Sequence, residues 1–114
     1  MKKNILLISE NEKYEKALVE LGHETIVAFS ASEARIFLDK KLDVIIIDPY
    51  FLFSVNETAK FVGRIINDYE YHGPIAVIAE EEKSRLPLLK AGCGYEVSGP
   101  DKFSKVLNSI FKNF

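Results

Sequence analysis

The chain has 114 residues, which is enough for one domain with a hydrophobic core and too few for two. Its formal net charge is -2 with acidic and basic residues interspersed, so neither a nucleic acid nor a membrane surface is expected as a partner. The single cysteine, Cys93, excludes an intrachain disulfide and a cysteine cluster for zinc.

The first apolar segment follows Lys2 and Lys3 and covers Ile5–Ile8 before polar residues return. It is too short for a signal peptide or a membrane span and is typical of a buried strand. We therefore expect a cytoplasmic protein. A polar run follows, and we expect Ser9 to be the N-cap of the next helix.

The next segments alternate between helical and strand patterns. Apolar residues recur at helical spacing through residues 14–21, and Thr25–Phe29 is a candidate second strand. Ser30 and Glu33 have the spacing of a capping box. The helix that they begin should end near Lys40-Lys41, where positive charge suits the helix dipole.

The middle of the chain carries an unbroken β-branched run, Val44–Ile47, which is typical of a strand buried on both faces of a parallel sheet. Asp48 and Pro49 end this strand. The loop that follows is aromatic from Tyr50 to Phe53. Two alternatives stay open for this loop. Packing over the core is favoured because exposed aromatic patches are uncommon on monomers, and a docking surface is the alternative.

The second half continues the alternation. Ser54 and Glu57 again have the spacing of a capping box, and they precede a long amphipathic helix. Ile75–Ala79 is a buried strand, and Tyr95–Val97 is a short edge strand. The helix between them is expected to be weak, because Pro87 is tolerated only in a first turn.

Five repeats of strand and helix predict one α/β domain over residues 1–114, a flavodoxin-like three-layer sandwich. Its five-stranded parallel sheet should have the order 2-1-3-4-5, with helices on both faces. The first and third strands are then neighbours, and Glu10 and Asp48 lie at their carboxyl ends, where ligands bind in such sheets. The plain alternatives are a turn bond from Asp48 to the next loop and a solvated Glu10 at a helix start. His23 and His72 lie in predicted turns and are expected to be exposed.

This arrangement resembles the receiver domain of two-component response regulators, of the chemotaxis-regulator type. The resemblance covers the whole chain. It rests on an acidic end to the first strand, the Asp48-Pro49 end to the third, and the segment 91–100, AGCGYEVSGP. That segment is similar to the family's Ala-Gly-Ala-x-x-Tyr-x-x-Lys-Pro.

The resemblance implies roles for residues at the carboxyl ends of four strands. Asp48 corresponds to the phosphoryl acceptor, and Ser9 and Glu10 correspond to an acidic pair that helps to hold magnesium, of which half is missing. Ala79 stands where the family has a Ser or Thr that bonds the phosphoryl oxygens. Gly99 stands where the family has a Lys that neutralises them. The aromatic switch position of the family, on the fifth strand, corresponds to Glu96, with Tyr95 one place away.

These departures have physical consequences. Glu10, Asp48 and the backbone carbonyl of Tyr50 would form a weak Mg²⁺ site. Losing a preorganised stabilising group costs about 10²–10³ in rate, and phosphoryl transfer depends on such groups. We therefore expect a degenerate receiver, or pseudo-receiver, in which phosphorylation of Asp48 is impaired.

The expected function is a non-enzymatic signalling domain in a phosphorelay, acting by contact with a histidine kinase or a downstream effector. The resemblance places that contact on the fourth helix, fifth strand and fifth helix, and a homodimer is compatible with it. No output domain follows Phe114, so output is expected through docking unless the chain is a fragment of a longer protein. Two alternatives stay open: a conventional Asp-phosphorylated receiver, and a small-molecule-binding flavodoxin-like domain. The small-molecule-binding alternative is disfavoured, because residues 9–14 contain no Gly-rich phosphate loop and no nucleophile–base pair can be named.

Overall fold

The computed structural model describes residues 3–112. Within that range it contains a five-stranded sheet, with all neighbours parallel, and five α-helices. The strands are β1 (Asn4–Ile8), β2 (Glu24–Ala28), β3 (Val44–Ile47), β4 (Ile75–Ile78) and β5 (Tyr95–Val97). The helices are α1 (Glu12–Glu20), α2 (Ala31–Phe37), α3 (Val55–Asn67), α4 (Glu82–Ala91) and α5 (Phe103–Lys112), with a 3-10 turn at Pro100–Lys102. The strand order β2-β1-β3-β4-β5 confirms the predicted flavodoxin-like topology.

Two hydrophobic clusters cover the two faces of the sheet. One joins alternate strand residues, such as Ile45 and Ile47, to residues of α2, α3 and α4. The other joins the intervening residues, such as Val44 and Ile46, to α1 and α5. All four residues of β3 are completely buried, as their β-branched run predicts. The sheet is therefore the middle layer of three.

Strand register brings the carboxyl ends of β1 and β3 together. Ile8 pairs with Ile47, and the backbone N–H of Asp48 donates to the Ile8 carbonyl at 3.0 Å. The residues that follow these two strands therefore begin at the same edge of the sheet. On the other side of β3, the Ala79 N–H donates to the Val97 carbonyl at 2.7 Å, so β4 and β5 end at this edge as well.

Helices α2 and α3 begin at the predicted capping residues, Ser30 and Ser54. The Ser30 hydroxyl accepts from the Glu33 N–H, and the Ser54 hydroxyl accepts from the Glu57 N–H, both at 3.1 Å. The Glu33 carboxylate returns to the Phe29 N–H rather than to that of Ser30, so it bonds one residue before the cap.

Three predictions about local structure were wrong. Helix α2 ends at Phe37 rather than near Lys40-Lys41. Pro87 lies in the second turn of α4, because the helix already begins at Glu82. Proline at this position removes the bond to the Lys83 carbonyl that a helical N–H would make. His23 is half-buried rather than exposed, since its Nδ1 accepts from the Lys3 N–H at 3.2 Å.

No helix within residues 3–112 is long and apolar enough to cross a membrane. Cys93 is buried, and burial raises the pKa of its thiol to about 12. The apolar residues at helical spacing in the last segment extend from Phe103 to Phe114, and Phe114 lies outside the described residues.

Gly92 ends α4 at a φ of 131°, a conformation that side chains rarely adopt, and a Cβ there would collide with Ile66. We predict that Gly92→Ala lowers the free energy of unfolding by about 1–3 kcal/mol. Gly63 is the matched control, because it lies inside α3 with open space around it. Gly63→Ala should instead raise stability by about 0.5–1 kcal/mol. Urea denaturation measures both, and an equal response of the two variants would contradict the assignment.

The His23 ring also contacts the Phe111 ring edge-to-face, with centroids 5.8 Å apart. Burial and nearby positive charge lower the pKa of His23 below its usual value of about 6.5. Folding therefore favours the neutral ring. The associated stability is complete above the unfolded pKa and declines as the pH falls below it. We predict that His23→Gln, which keeps an acceptor for Lys3, has a smaller loss of unfolding free energy between neutral and mildly acidic pH than the native protein. Equal losses would contradict this.

Candidate functional site

The site lies at the carboxyl edge of the sheet, where the loop from β1 to α1 faces the loop from β3 to α3. The backbone N–H of Ser9 donates to the Ala28 carbonyl at 3.3 Å, and that of Asp48 donates to the Ile8 carbonyl. Each residue is thus anchored to a neighbouring strand. The parallel ladder fixes both side chains at one seam.

Asp48 is held by two uncharged donors. Its Oδ2 accepts from the Ser9 hydroxyl at 3.0 Å, and its Oδ1 accepts from the Tyr50 N–H at 3.0 Å. Its backbone carbonyl accepts from the Phe51 N–H at 3.0 Å. The turn bond that was the plain alternative for Asp48 is therefore present, together with a second bond to the neighbouring loop.

Ser9 has a different role from the predicted N-cap. The N-cap of α1 is Asn11, whose Oδ1 accepts from the Lys13 N–H at 3.1 Å. The buried Ser9 hydroxyl accepts from the Asn11 N–H at 3.0 Å while it donates to Asp48. Ser9 therefore links the start of α1 to the end of β3. The resemblance implies an acid at this position, and here an uncharged hydroxyl bonds Asp48 directly.

A cleft of about 510 Å³ opens beside Asp48 between the two loops. Its lining residues include three carboxylates and two aromatic side chains. They are Glu10, Asn11, Glu12, Asp48, Tyr50 and Phe51. Glu10 is exposed and lines the same cleft as Asp48. The two residues therefore lie at the same edge of the sheet, as predicted.

The donors of this cleft suit magnesium only in part. Carboxylate oxygens are the ligands that Mg²⁺ prefers, and one or two of them with several waters suffice. Asp48 already accepts one hydrogen bond on each oxygen, which leaves one lone pair on each. In the described part of the chain, no group of three or more His, Cys, Asp or Glu residues is arranged to hold a metal. The residues therefore fit a weak, largely hydrated ion rather than a tightly held one.

Ala79 and Gly99, to which the resemblance assigns the phosphoryl-binding positions, also lie at this edge. Ala79 directly follows β4 and supplies a methyl group in place of a hydroxyl. Gly99 follows β5 in an extended conformation, with φ 174°, and begins the 3-10 turn. A Cβ at Gly99 would lie 3.1 Å from the Asp101 Oδ1, on an exposed side chain that can move. No ion pair within 4 Å joins Asp48 to a Lys, Arg or His of residues 3–112.

Tyr14 is a site residue that the sequence reasoning missed. It was predicted only as an inward-facing residue of α1, but its hydroxyl donates to Glu80 Oε1 at 2.9 Å. Burial, the bond to Glu80 and the charges of Glu80 and Asp48 all raise the pKa of Tyr14 above its usual value. Lys13 lies 3.4 Å from the same Glu80 oxygen. A buried tyrosine needs a partner for its hydroxyl, and this rule was the available signal.

The aromatic loop 50–53 packs on the core in part and is exposed in part. Phe51 packs on the core and stacks on Phe61, with centroids 6.4 Å apart, so the favoured alternative is correct for Phe51. It is wrong for Tyr50 and Phe53, which are exposed. The Leu52 N–H donates to the buried Thr58 hydroxyl at 3.2 Å, which anchors the loop to α3.

The predicted switch position carries an ion pair instead of an aromatic ring. Glu96 lies on β5 at the edge of the sheet and pairs with Arg85 of α4 at 3.2 Å. Tyr95, one residue earlier, packs against the cluster that contains α1 and α5. The Glu96–Arg85 pair therefore joins β5 to α4 on the outer surface.

Neither a protein-family model nor a curated protein sequence matches this chain. Solved structures are similar over nearly its full length. A response regulator from Thermotoga maritima has a TM-score of 0.78 at 20% identity, covering 98% of this chain and 99% of that chain. The chemotaxis response regulator CheY4 of Vibrio cholerae has a TM-score of 0.78 at 18% identity, covering 96% and 99%.

A third structure is the receiver domain of a sensor histidine kinase from Pseudomonas aeruginosa, which has a magnesium ion coordinated in its active site cleft. Its TM-score is 0.75 at 17% identity, and the match covers 98% of this chain and 99% of that chain. These similarities show that the chain has the fold of response regulator receiver domains, as the sequence predicted.

The bond between Ser9 and Asp48 gives a stability prediction. Ser9→Ala leaves the Asn11 N–H without its acceptor and Asp48 Oδ2 without its donor. We expect the free energy of unfolding to fall by about 1–3 kcal/mol. The control Ser32→Ala, at an exposed position of α2, should change it by less than about 0.5 kcal/mol. Chemical denaturation compares the two, and a Ser9→Ala effect as small as the control would show that the bond contributes little.

Proposed function

We propose that this chain is a response-regulator receiver-like signalling domain that acts through protein–protein contact, with phosphorylation of Asp48 impaired. The observation that carries the proposal is the environment of Asp48. Its carboxylate is bonded by the Ser9 hydroxyl and the Tyr50 N–H, and none of the ion pairs in residues 3–112 involves it. The receiver fold supplies the context for this proposal.

Phosphorylation would form a bond between an Asp48 oxygen and phosphorus, while the donor's leaving group departs with its electron pair. Such a transfer depends on positioning and on groups that stabilise the phosphoryl charge. Here Ala79 has no hydroxyl to donate and Gly99 has no ammonium. Because each missing group costs about 10²–10³ in rate, transfer should be slow.

The relay from the site to the surface also lacks two parts. A methyl group at Ala79 makes no hydrogen bond that a phosphoryl group would strengthen. Glu96 is an exposed residue paired with Arg85 rather than a ring that could rotate inward. A phosphorylated Asp48 would therefore have little influence on α4 and β5.

Magnesium binding is proposed as weak, through Asp48, Glu10 and the backbone carbonyl of Tyr50, with water completing the shell. The ion would supply positive charge beside Asp48. The charge that this chain itself places there is negative, since Glu10, Glu12 and Asp48 line one cleft. A receiver domain of the same fold holds magnesium in its cleft, which supports the proposal.

The proposed partner is a histidine kinase or a downstream effector, in the cytoplasm, and self-association into a homodimer is compatible with the proposal. We place the contact on α4, β5 and α5. Leu86 of α4 is exposed there, and the Arg85–Glu96 pair provides polar contacts beside it. The proposed role requires no catalysis by this chain.

A conventional Asp-phosphorylated receiver is the second candidate. Asp48 does lie at the carboxyl end of β3, beside a cleft that Glu10 also lines. The two candidates differ in whether the native protein takes up phosphate at a useful rate.

The test incubates the native protein with acetyl phosphate and magnesium and follows its intact mass. We predict little or no gain of a phosphoryl group. The variant Ser9→Asp/Ala79→Thr/Gly99→Lys supplies the acid, the hydroxyl and the cation. It should gain the phosphoryl group at least about 10²-fold faster than the native protein. Adding Asp48→Asn to the variant should abolish that gain.

Rapid phosphorylation of native Asp48 would refute the impaired switch and favour the conventional receiver. If the restored variant folds but stays unmodified, the missing groups are not the cause of the impairment. Far-ultraviolet circular dichroism of each variant establishes that the fold is retained.

A further inference from the structure

The loop between β3 and α3 exposes two aromatic side chains that the core does not need. Phe53 is 101% exposed and Tyr50 is 53% exposed, whereas Phe51 and Leu52 between them pack on the core. Exposed phenylalanine in contact with water gains nothing from the hydrophobic effect. Aromatic residues are enriched where proteins bind one another. Tyr50 and Phe53 therefore mark an interaction surface, which we call the aromatic loop surface.

The cleft next to this surface is acidic. It is lined by Glu10, Glu12 and Asp48, and no Lys, Arg or His of residues 3–112 lines it. Among residues 3–112, none of the ion pairs neutralises these three carboxylates.

Two lysines near this edge have acidic partners. Lys13 pairs with Glu80 at 3.4 Å, and Lys83 pairs with Glu81 at 3.6 Å. The Tyr50 hydroxyl donates at 3.4 Å to the same Glu81 oxygen that pairs with Lys83. The Tyr50 ring therefore lies between the acidic cleft and the Glu81–Lys83 ion pair.

We propose that this surface binds an arginine-containing segment of a partner protein, with an apolar residue near the arginine. A guanidinium stacks on an aromatic face and bonds carboxylates through two parallel N–H groups, so it complements both features of the cleft. A cleft of about 510 Å³ has room for such a side chain. The apolar neighbour would cover Phe53. An anionic membrane or a nucleic acid is disfavoured here, because the surface carries the same charge.

This surface differs from the face of α4, β5 and α5 on which the signalling function was placed. It requires neither phosphorylation nor a change of shape. The arginine would bring from the partner a positive charge that residues 3–112 do not pair with Asp48. The proposal names the chemistry of one contact and rests on the proposed function only in taking the chain to act by binding proteins.

The test selects binders to the full chain from a displayed library of random linear peptides. An enriched peptide is then synthesised with arginine and with citrulline, which has the same shape but no charge. We expect enriched peptides to contain arginine beside an aromatic or aliphatic residue. Replacing arginine with citrulline should weaken binding by about ten-fold or more.

Variants locate the contact. Phe53→Ala, Tyr50→Ala and the pair Glu10→Gln/Glu12→Gln should each weaken binding of the arginine peptide. The controls Leu86→Ala and Glu96→Gln remove an exposed apolar residue and an exposed acid from the other face, and they should leave its affinity unchanged. All of these positions are exposed, so the variants should fold, and their thermal unfolding checks this.

Enrichment of acidic peptides, of peptides without arginine, or of none would overturn the proposal, as would equal affinity of the citrulline peptide. Binding that is lost in Leu86→Ala but kept in Phe53→Ala would also overturn this surface. That last result would leave the proposed signalling function standing, because it moves the contact to the face of α4 and β5.

Discussion

The parallel pairing of β1 with β3 is the constraint on which the rest of the structure depends. Because Ile8 pairs with Ile47, the two strands end together, and Ser9 comes within hydrogen-bond distance of Asp48. The pairing is held by strand residues that are completely buried between two helical layers. A shift of the register would remove those residues from their clusters as well as separate the site, so the core and the site are specified by the same contacts.

The hydrogen bonds to the Asp48 carboxylate come from uncharged groups. Asp48 accepts two hydrogen bonds from uncharged donors, and its neighbour Tyr14 donates to Glu80 rather than toward Asp48. A carboxylate held by these hydrogen bonds has partners in the fold without a bound metal ion. Ala79 and Gly99 supply neither a hydroxyl nor an ammonium group at this edge. These interactions support the proposed role of the domain as a constant binding surface.

Much of the fold could be predicted from the sequence because its signals are local and repeated. The β-branched run Val44–Ile47, the alternation of strand and helix, and the caps Ser30 and Ser54 each depend on nearby residues. The site was harder to predict, because its contacts join residues distant in sequence. The bond from Ser9 to Asp48 depends on the β1–β3 register, and Asn11 rather than Ser9 caps α1 because the loop runs two residues further. Helical spacing placed Tyr14 inward and could not indicate which acid its hydroxyl would meet. Nothing in the composition of the loop Tyr50–Phe53 shows which rings face the core, since a loop has no fixed period.

The most direct measurement is an amide NMR spectrum of the native protein with and without beryllofluoride and magnesium, which together mimic a phosphoryl group on the aspartate. If Asp48 is part of a constant binding surface, shifts should stay small and confined to the loops at the carboxyl edge of the sheet. They should match the shifts that magnesium causes without beryllofluoride. Large shifts that extend through Ala79 to Glu96 and α4, and that vanish in Asp48→Asn, would show that the switch works and would contradict this description of the site.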